Sequence, residues 1–356
     1  MEDRIRKQVE QIPAWLQTTG EYPEIVLSSR ARLARNLSPF RFSAKATPED
    51  REEVRNFVLE RLRLYPEFDR LHVLEVQTLS DLARQVLVER HLLTRDALKH
   101  PEHTVVLYEA DESLALLINE EDHLRVQVLA NGLALSTVAQ RIQRLGEILG
   151  LLLPLAYHPE FGYLTSCPTN TGLGLRFSVL MHLPGLVLSK RLTDLVKLLA
   201  RTRNSIRGLY GEGSEILGNL FQISTTQNLG LSEEELLLTF QDTVHEIIRL
   251  EQEARQQLEQ ESPELLDDRI QRARALLENA RLISFEETAR LTSALRLGVG
   301  LGRIYDVRIQ TLNEILLYAQ PGHLQVLFGH DMEPRERDLR RATYIRTKLQ
   351  TEGSEP

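Results

Sequence analysis

The segment TVVLYEADESLALLINEEDHLRVQVLA, Thr104 to Ala130, decides the fold class. Apolar, β-favouring residues occupy Thr104 to Tyr108, Ser113 to Ile118 and Leu124 to Leu129, and Asp111-Glu112 supplies a tight turn between the first two runs. Strands joined by such short turns predict an antiparallel sheet, and Val179 to Leu183 predicts a further strand after a turn-rich stretch. Helical signals flank this region. Thr47-Pro48-Glu49-Asp50 combines a capping threonine, proline at the first helical position and acids in the first turn, and Val54, Phe57, Val58 and Leu62 then share one face. Ser232-Glu233-Glu234-Glu235 is a capping box opening a long helix toward Gln257. Ser262-Pro263-Glu264 caps the next helix, and Ser284-Phe285-Glu286-Glu287 starts another. The expected architecture is α+β: a large antiparallel sheet flanked by helices, then a smaller all-helical C-terminal domain. The predicted boundaries are 1–258 and 259–356, with a frayed polar end after Gln350.

Composition narrows the function. The 356 residues suffice for two domains, with ordinary hydrophobic (42%) and charged (26%) content. No apolar run approaches the ~20 residues of a membrane helix, and Met1 to Gln11 lacks a secretory signal. A single cysteine, Cys167, excludes an internal disulfide framework, so the expected compartment is the cytoplasm. A net charge of −8 argues against direct nucleic-acid binding. Yet arginines crowd near residues 30 and 340, a pattern suited to a compact anion such as phosphate.

Four stretches carry chemical potential. In Ser28-Ser29-Arg30-Ala31-Arg32, an extended backbone puts Arg30 and Arg32 on one side, two forks fit for polyphosphate oxygens; a solvated edge strand is the plainer reading. In Asn119-Glu120-Glu121-Asp122-His123-Leu124-Arg125, carboxylates stand beside an arginine at a strand end, where an ordinary solvated turn would also serve. Cys167-Pro168-Thr169-Asn170 with Gly172 and Gly174 forms a turn-rich loop, its cysteine either inert or a thiolate held by cations. Arg207-Gly208-Leu209-Tyr210-Gly211-Glu212-Gly213 surrounds one glutamate with glycines, either a loop that delivers a side chain to a ligand or a surface turn. No G-x-x-x-x-G-K-[ST] loop and no H-R-D with D-F-G pair is present, which excludes the ordinary P-loop and Ser/Thr/Tyr kinases.

Together and in this order the four stretches resemble the phosphagen (guanidino) kinases, the ATP:guanido phosphotransferases, whose motifs are similar to S-[ST]-R-x-R, N-E-E-D-H-x-R, C-P-T-N-x-G and R-G-x-x-G-E. The similarity spans about residues 20 to 255 and is strongest to the bacterial protein-arginine kinase branch, through Met181-His182-Leu183-Pro184 and Arg337-Asp338-Leu339-Arg340-Arg341-Ala342. Arg30 comes almost at once, so the small helical domain that precedes this motif in animal members is expected to be absent and the site open to a protein side chain.

The resemblance implies a cage of Arg30, Arg32, Arg125, Arg176 and Arg207 around the phosphates of ATP. Further nucleotide contacts are implied at Ser28, Ser29, Ala31, His91, Phe177, Ser178, Val179, Leu180, Gly208, Leu209, Tyr210 and Gly211. It also implies Glu121 and Glu212 on the substrate guanidinium, with Cys167 beside it as a thiolate. Mg²⁺ is expected to be held mainly by phosphates and water, with no protein ligand to the metal. Arg337, Asp338, Arg341 and Ala342 are implied to form an allosteric phosphoarginine pocket. Expected partners are proteins with exposed arginines, a zinc-binding activator adaptor, a Clp chaperone-protease and a second copy of the chain in a homodimer or higher oligomer. The implied role is stress response and protein quality control. A kinase for free arginine or another small guanidine, and a catalytically silent phosphoarginine-binding adaptor, are the alternatives. The chain departs from the family pattern at Leu173, Leu180 and Thr225.

Overall fold

A computed structural model describes residues 2–208 and 217–352. In chain order these form α1 (Glu2–Val9), β1 (Val26–Arg35), α2 (Pro48–Leu62), α3 (Pro66–Asp69), β2 (His72–Glu75), α4 (Asp81–Glu89), β3 (Val105–Tyr108), β4 (Leu114–Ile118), β5 (Leu124–Asn131), α5 (Leu135–Leu152), β6 (Tyr157–His158), β7 (Gly162–Tyr163), β8 (Leu175–His182), α6 (Pro184–Leu188), α7 (Leu192–Arg201), β9 (Asn204–Gly208), β10 (Leu220–Thr225) and α8 (Glu233–Glu261). Five helices follow: α9 (Pro263–Asn279), α10 (Phe285–Gly300), α11 (Ile309–Tyr318), α12 (Pro321–Phe328) and α13 (Pro334–Glu352).

Eight strands pair antiparallel in the order β2-β3-β4-β5-β1-β8-β10-β9. The α+β expectation therefore holds. The expected strand at Val179 begins earlier, at Leu175, because β1 draws it in through the pairs Leu33↔Leu175 and Arg32↔Arg176. Arg176 interrupts the apolar alternation there, so pattern alone misses it. The sequence reading also lacks β2, β9 and β10.

Period-two alternation sorts the strands' side chains. Ala31 and Leu33 of β1, Leu124, Val126 and Val128 of β5, and Leu175, Phe177 and Val179 of β8 face one core, against Val138, Ile142 and Leu145 of α5 and Phe240, Val244 and Ile247 of α8. A second core joins Val106 and Tyr108 of β3 to Val86 and Leu87 of α4, Trp15, and Leu317 and Tyr318 at the end of α11. The C-terminal helices have a core of their own, with Ile270, Leu295, Leu312, Ile315 and Ile345 buried together.

The caps at Thr47 and Ser232 form as read, each accepting from the third helical amide while Asp50 or Glu235 returns a bond to the cap's own amide. Ser284 likewise accepts from Glu287 N. Ser262 differs: it ends α8 and starts α9 at once, at φ −151° and ψ 51°, and its hydroxyl makes no capping bond, so Pro263 alone opens α9.

Buried polar ties fasten the C-terminal helices to the sheet. Arg296 of α10 donates to Pro23 O and to Glu24 O just ahead of β1, and to Asn313 Oδ1 at 2.6 Å; Asn313 Nδ2 donates to Leu16 O at 2.7 Å. Glu89, at the end of α4, caps α12. It accepts from Gly322 N at 2.8 Å, His323 N at 3.0 Å and His323 Nδ1 at 2.7 Å. Burial lowers the pKa of His323, so the ring is neutral, and its Nε2 faces Arg90 Nη1 at 3.4 Å. Arg90 in turn pairs with the buried Glu112 at 2.7 Å. Replacing Glu89 with alanine leaves three buried donors of α12 without an acceptor. The unfolding free energy should then fall by about 3 kcal/mol in urea titrations followed by circular dichroism. A change below about 0.5 kcal/mol, the ordinary range for a surface substitution, would rule out this cap as a principal tie.

Candidate functional site

The face of the sheet opposite the α5 core carries arginines. Arg30 and Arg32 project from it on β1, Arg125 and Gln127 on β5, Arg176 and Ser178 on β8, Gln222 on β10 and Arg207 on β9, and these line a cleft of ≈ 450 Å³ (Ser178 a recess beside it). Register explains the convergence: Arg32 stands between Gln127 and Arg176, Arg30 between Leu129 and Ser178, and Arg207 opposite Gln222. All five predicted cage arginines thus meet in one place.

The electrostatics are those of an anion site. Burial, together with repulsion from Arg125 and Arg176, pulls the Arg30 guanidinium down to about 9. Burial and repulsion from Arg30, Arg125 and Arg176 hold Arg32 well below its ordinary value, and burial and Arg207 lower Arg176. Among the described residues Arg32 Nε, Arg125 Nε and Arg176 Nε are buried without a hydrogen-bond partner. Orphaned cationic donors in a shared cleft match the oxygens of a polyphosphate, so ATP fits. Among the described residues no group of three His, Cys, Asp or Glu side chains is placed to hold a metal ion, and no helix is long and apolar enough to cross a membrane.

The acidic stretch after β4 divides its labour. Asn119, at φ 60°, turns the chain and donates to Arg51 O and His103 O. Glu120 is buried. It accepts from Thr94 Oγ1 at 2.6 Å and Glu121 N at 2.7 Å, and pairs with Arg125 at 3.5 Å, so it positions an arginine and the next residue's backbone. Glu121 is exposed to the cleft that it lines; desolvation, then Asp122 and Glu120, raise its pKa, the direction a proton acceptor requires. Asp122 Oδ1 accepts from Asn36 Nδ2 and Ser166 N, both at 2.6 Å, and so ties the Glu121 turn to the cysteine loop. His123 accepts from Leu37 N on Nδ1 and donates from Nε2 to Arg41 O, a neutral ring used for structure.

Cys167 lines the same cleft, its Sγ 3.1 Å from Thr169 Oγ1, and Arg176 Nη2 donates to Asn170 Oδ1 at 3.5 Å. Asn228 sets the height of this loop: its side chain donates to Thr169 O at 3.0 Å and accepts from Leu175 N at 3.0 Å. Gly172 is required there, since φ is +117° and a Cβ would lie 2.1 Å from Asn228 O. Glu120 and Asp122 stand in the acidic stretch read from the sequence, without the supporting roles found here, and Asn228 is a support that sequence reasoning missed, since no local signal marks it.

His91, at φ 60°, lies beside the cleft with its ring edge-on to Trp15 at 5.1 Å. Burial and Arg30 press its pKa down to about 3, so it is neutral. With Ser28, Ser178, Leu180 and Gln222 it lines a smaller adjoining recess. The side chains of Ser29, Ala31, Phe177 and Val179 do not share this face. Alternation turns them away, Ala31, Phe177 and Val179 into the core, and Ser29 Oγ bonds Gly132 O and Ala134 N. Gly208 ends β9 opposite Phe221. Leu209, Tyr210, Gly211 and Glu212 lie outside the described residues.

The second predicted pocket lies on α13, away from this cleft's lining. Arg341 is buried, donating from Nε to Ala319 O at 2.7 Å and from Nη1 to Ile283 O at 2.9 Å and Asp338 Oδ1 at 2.5 Å. Arg337 Nη1 donates to Met332 O at 2.8 Å, and Ala342 is buried in the C-terminal core.

Comparison with known proteins agrees with the geometry. Residues 53–254 match the model of the ATP:guanido phosphotransferase C-terminal catalytic domain, and residues 263–356 match that of the protein-arginine kinase McsB C-terminal domain. A protein-arginine kinase of Bacillus cereus (strain AH187) is 39% identical over 348 residues, 96% of this chain and 97% of the relative. Among solved structures, the duplicated taurocyamine kinase of Schistosoma mansoni superposes with a TM-score of 0.60 at 24% identity, over 68% of this chain and 35% of that one. A lombricine kinase superposes at 0.58 and 22% identity, over 70% of this chain and 75% of that one. The last two are likenesses of fold alone. With its cage of arginines on an antiparallel sheet and its two matched regions, the chain belongs to the ATP:guanido phosphotransferase family, on the side of the protein-arginine kinases.

Proposed function

We propose that this enzyme transfers the γ-phosphoryl group of ATP to the guanidino group of arginine side chains in proteins. The observation that carries the reading is the convergence of Arg30, Arg32, Arg125, Arg176 and Arg207 on a cleft that also holds Glu121 and Cys167. The arginines bind the triphosphate and neutralise charge as it develops on the transferring group, with Mg²⁺ on the phosphates. A guanidinium is protonated at neutral pH and a poor nucleophile, so the reaction needs a carboxylate to orient its fork and take a proton. Glu121 accepts that proton as a guanidino nitrogen attacks Pγ. The N–P bond forms, the bond from Pγ to the β,γ-bridging oxygen breaks, and ADP leaves with the electron pair. Glu212 is assigned the second grip on the fork and Cys167, as thiolate, the flank. Ser28, His91 and Leu180 face the nucleoside end.

The curated relatives' name supports protein as the substrate class. The resemblance to that branch further supports a cytoplasmic enzyme of stress response and quality control. It acts as a homodimer or larger assembly with a zinc-binding activator and marks proteins for a Clp protease. The catalytic unit is assigned to 1–258 and the helical unit to 259–356. On α13, the Asp338 carboxylate with Arg337 and Arg341 supplies the acid and cations that a phosphoarginine ligand requires.

Incubating the enzyme with Mg-ATP and an unfolded protein should yield acid-labile phosphoarginine by mass spectrometry, and label confined to free arginine would overturn the protein assignment. Glu121→Gln should lower kcat by about 100-fold or more. Because the Glu121 pKa is raised, the base is lost as pH falls through that raised value. The acid limb of wild-type kcat/KM should therefore lie above the ~4.3 of a free glutamate, and should vanish in the variant. Reversing both charges at Arg337 and Asp338 should abolish phosphoarginine binding in calorimetry with the circular dichroism spectrum unchanged; surviving binding would remove the pocket from α13.

A further inference from the structure

A second cleft, of ≈ 720 Å³, opens between α4 on the sheet side and the starts of α10 and α12 on the C-terminal side. Val88 and Arg95 line both this cleft and the arginine cage. The two spaces therefore share a wall, one holding the reacting centre and the other adjoining it.

Its chemistry selects among occupants. Half-buried Leu98, Leu217 and Phe285 supply apolar surface, and the exposed Glu286 supplies a carboxylate. The remaining charged groups are already engaged. Glu89 is committed to the α12 amides, Arg84 donates to Val76 O, Gln77 O and Asp81, and the exposed Arg95 is partnered as well. With those groups spent, the lining does not suit a second phosphate or a small ionic ligand. An open trough of this size with apolar walls and an acidic rim fits an extended polypeptide carrying basic residues; ligand pockets in general run from roughly 300 to 1,000 Å³.

We infer that this trough binds the polypeptide on either side of the arginine that enters the cage, and that Glu286 favours a basic neighbour to that arginine. The inference rests on the protein-arginine kinase reading and adds the substrate surface to it. Arg341 has a part here as a strut. Its bonds to Ile283 O and Ala319 O hold the residues just ahead of Phe285 and Gln320, where the C-terminal wall begins.

The test uses the full-length enzyme and one unfolded protein containing two arginines, one flanked by lysines and one by glutamates. Phosphorylation at each site is counted by mass spectrometry, so nucleotide binding and enzyme stability cancel in the ratio. Wild type should prefer the lysine-flanked site. Glu286→Lys should shift the site ratio by about fivefold or more toward the glutamate-flanked arginine, as charge complementarity at a rim predicts. Phe285→Ser should lower kcat/KM at both sites by about tenfold while the Mg-ATP dissociation constant, by calorimetry, stays at the wild-type value. An unchanged ratio in Glu286→Lys together with an unchanged rate in Phe285→Ser would overturn the trough assignment while the kinase reading stood. No phosphoarginine from wild type at either site would overturn the kinase reading itself.

Discussion

Like charges do not gather in a protein interior without cause. Arg30, Arg32, Arg125 and Arg176 are pulled into one cleft, where burial and the repulsion of the neighbouring arginines lower the pKa values of Arg30, Arg32 and Arg176, an arrangement that costs folding energy and is stable only because the β-ladder fixes it. Arg32 and Arg176 face each other across β1 and β8, so their proximity is set by backbone hydrogen bonds rather than by side-chain preference. The rest of the structure can be understood as restraint upon this repulsion. Glu120 offsets part of it at Arg125, the α5 and α8 core backs the sheet from behind, and the ties from Arg296 and Glu89 fasten the C-terminal helices to the segment before β1 and to α4.

The acids show how neighbouring residues of like type come to differ. Glu120 is buried against Thr94 and Arg125, and its pKa is lowered by Arg125 against the cost of burial. Glu121, one residue on, lines the cleft with fewer compensating donors, and its pKa rises. Strand-end geometry points the two side chains into different surroundings, which makes one a support and suits the other to the proton-acceptor role proposed for it. Asp122 then fixes the distance between that acceptor and the cysteine loop through two short bonds to one oxygen.

How much of this was legible follows from the range of each interaction. The caps at Thr47 and Ser232 involve residues three apart and could be read directly. The pairing of Arg30 with Arg32 on one side follows from strand alternation alone, and the same rule turns the side chains of Ser29 and Ala31 the other way. Arg176 was legible only through its motif, because its strand starts within a turn-rich stretch. The Glu89–His323 cap joins residues 234 apart, and Asn228 reaches back 59 to hold Thr169. No local pattern encodes such ties; they exist only once the sheet and the C-terminal helices are assembled. Ser262 shows the converse, a good local signal overridden by the continuity of two helices.

The central claim is that the arginine cage is held against the interests of the apo fold for the sake of a triphosphate. The most direct measurement is a paired one on Arg32→Gln: the thermal midpoint without nucleotide, and the Mg-ATP dissociation constant by calorimetry. Removing one of the repelling charges should leave the apo midpoint equal to or above that of wild type while Mg-ATP affinity falls by about 100-fold, some 2.8 kcal/mol. A lowered apo midpoint with nucleotide affinity intact would show Arg32 to be a structural residue and contradict the account.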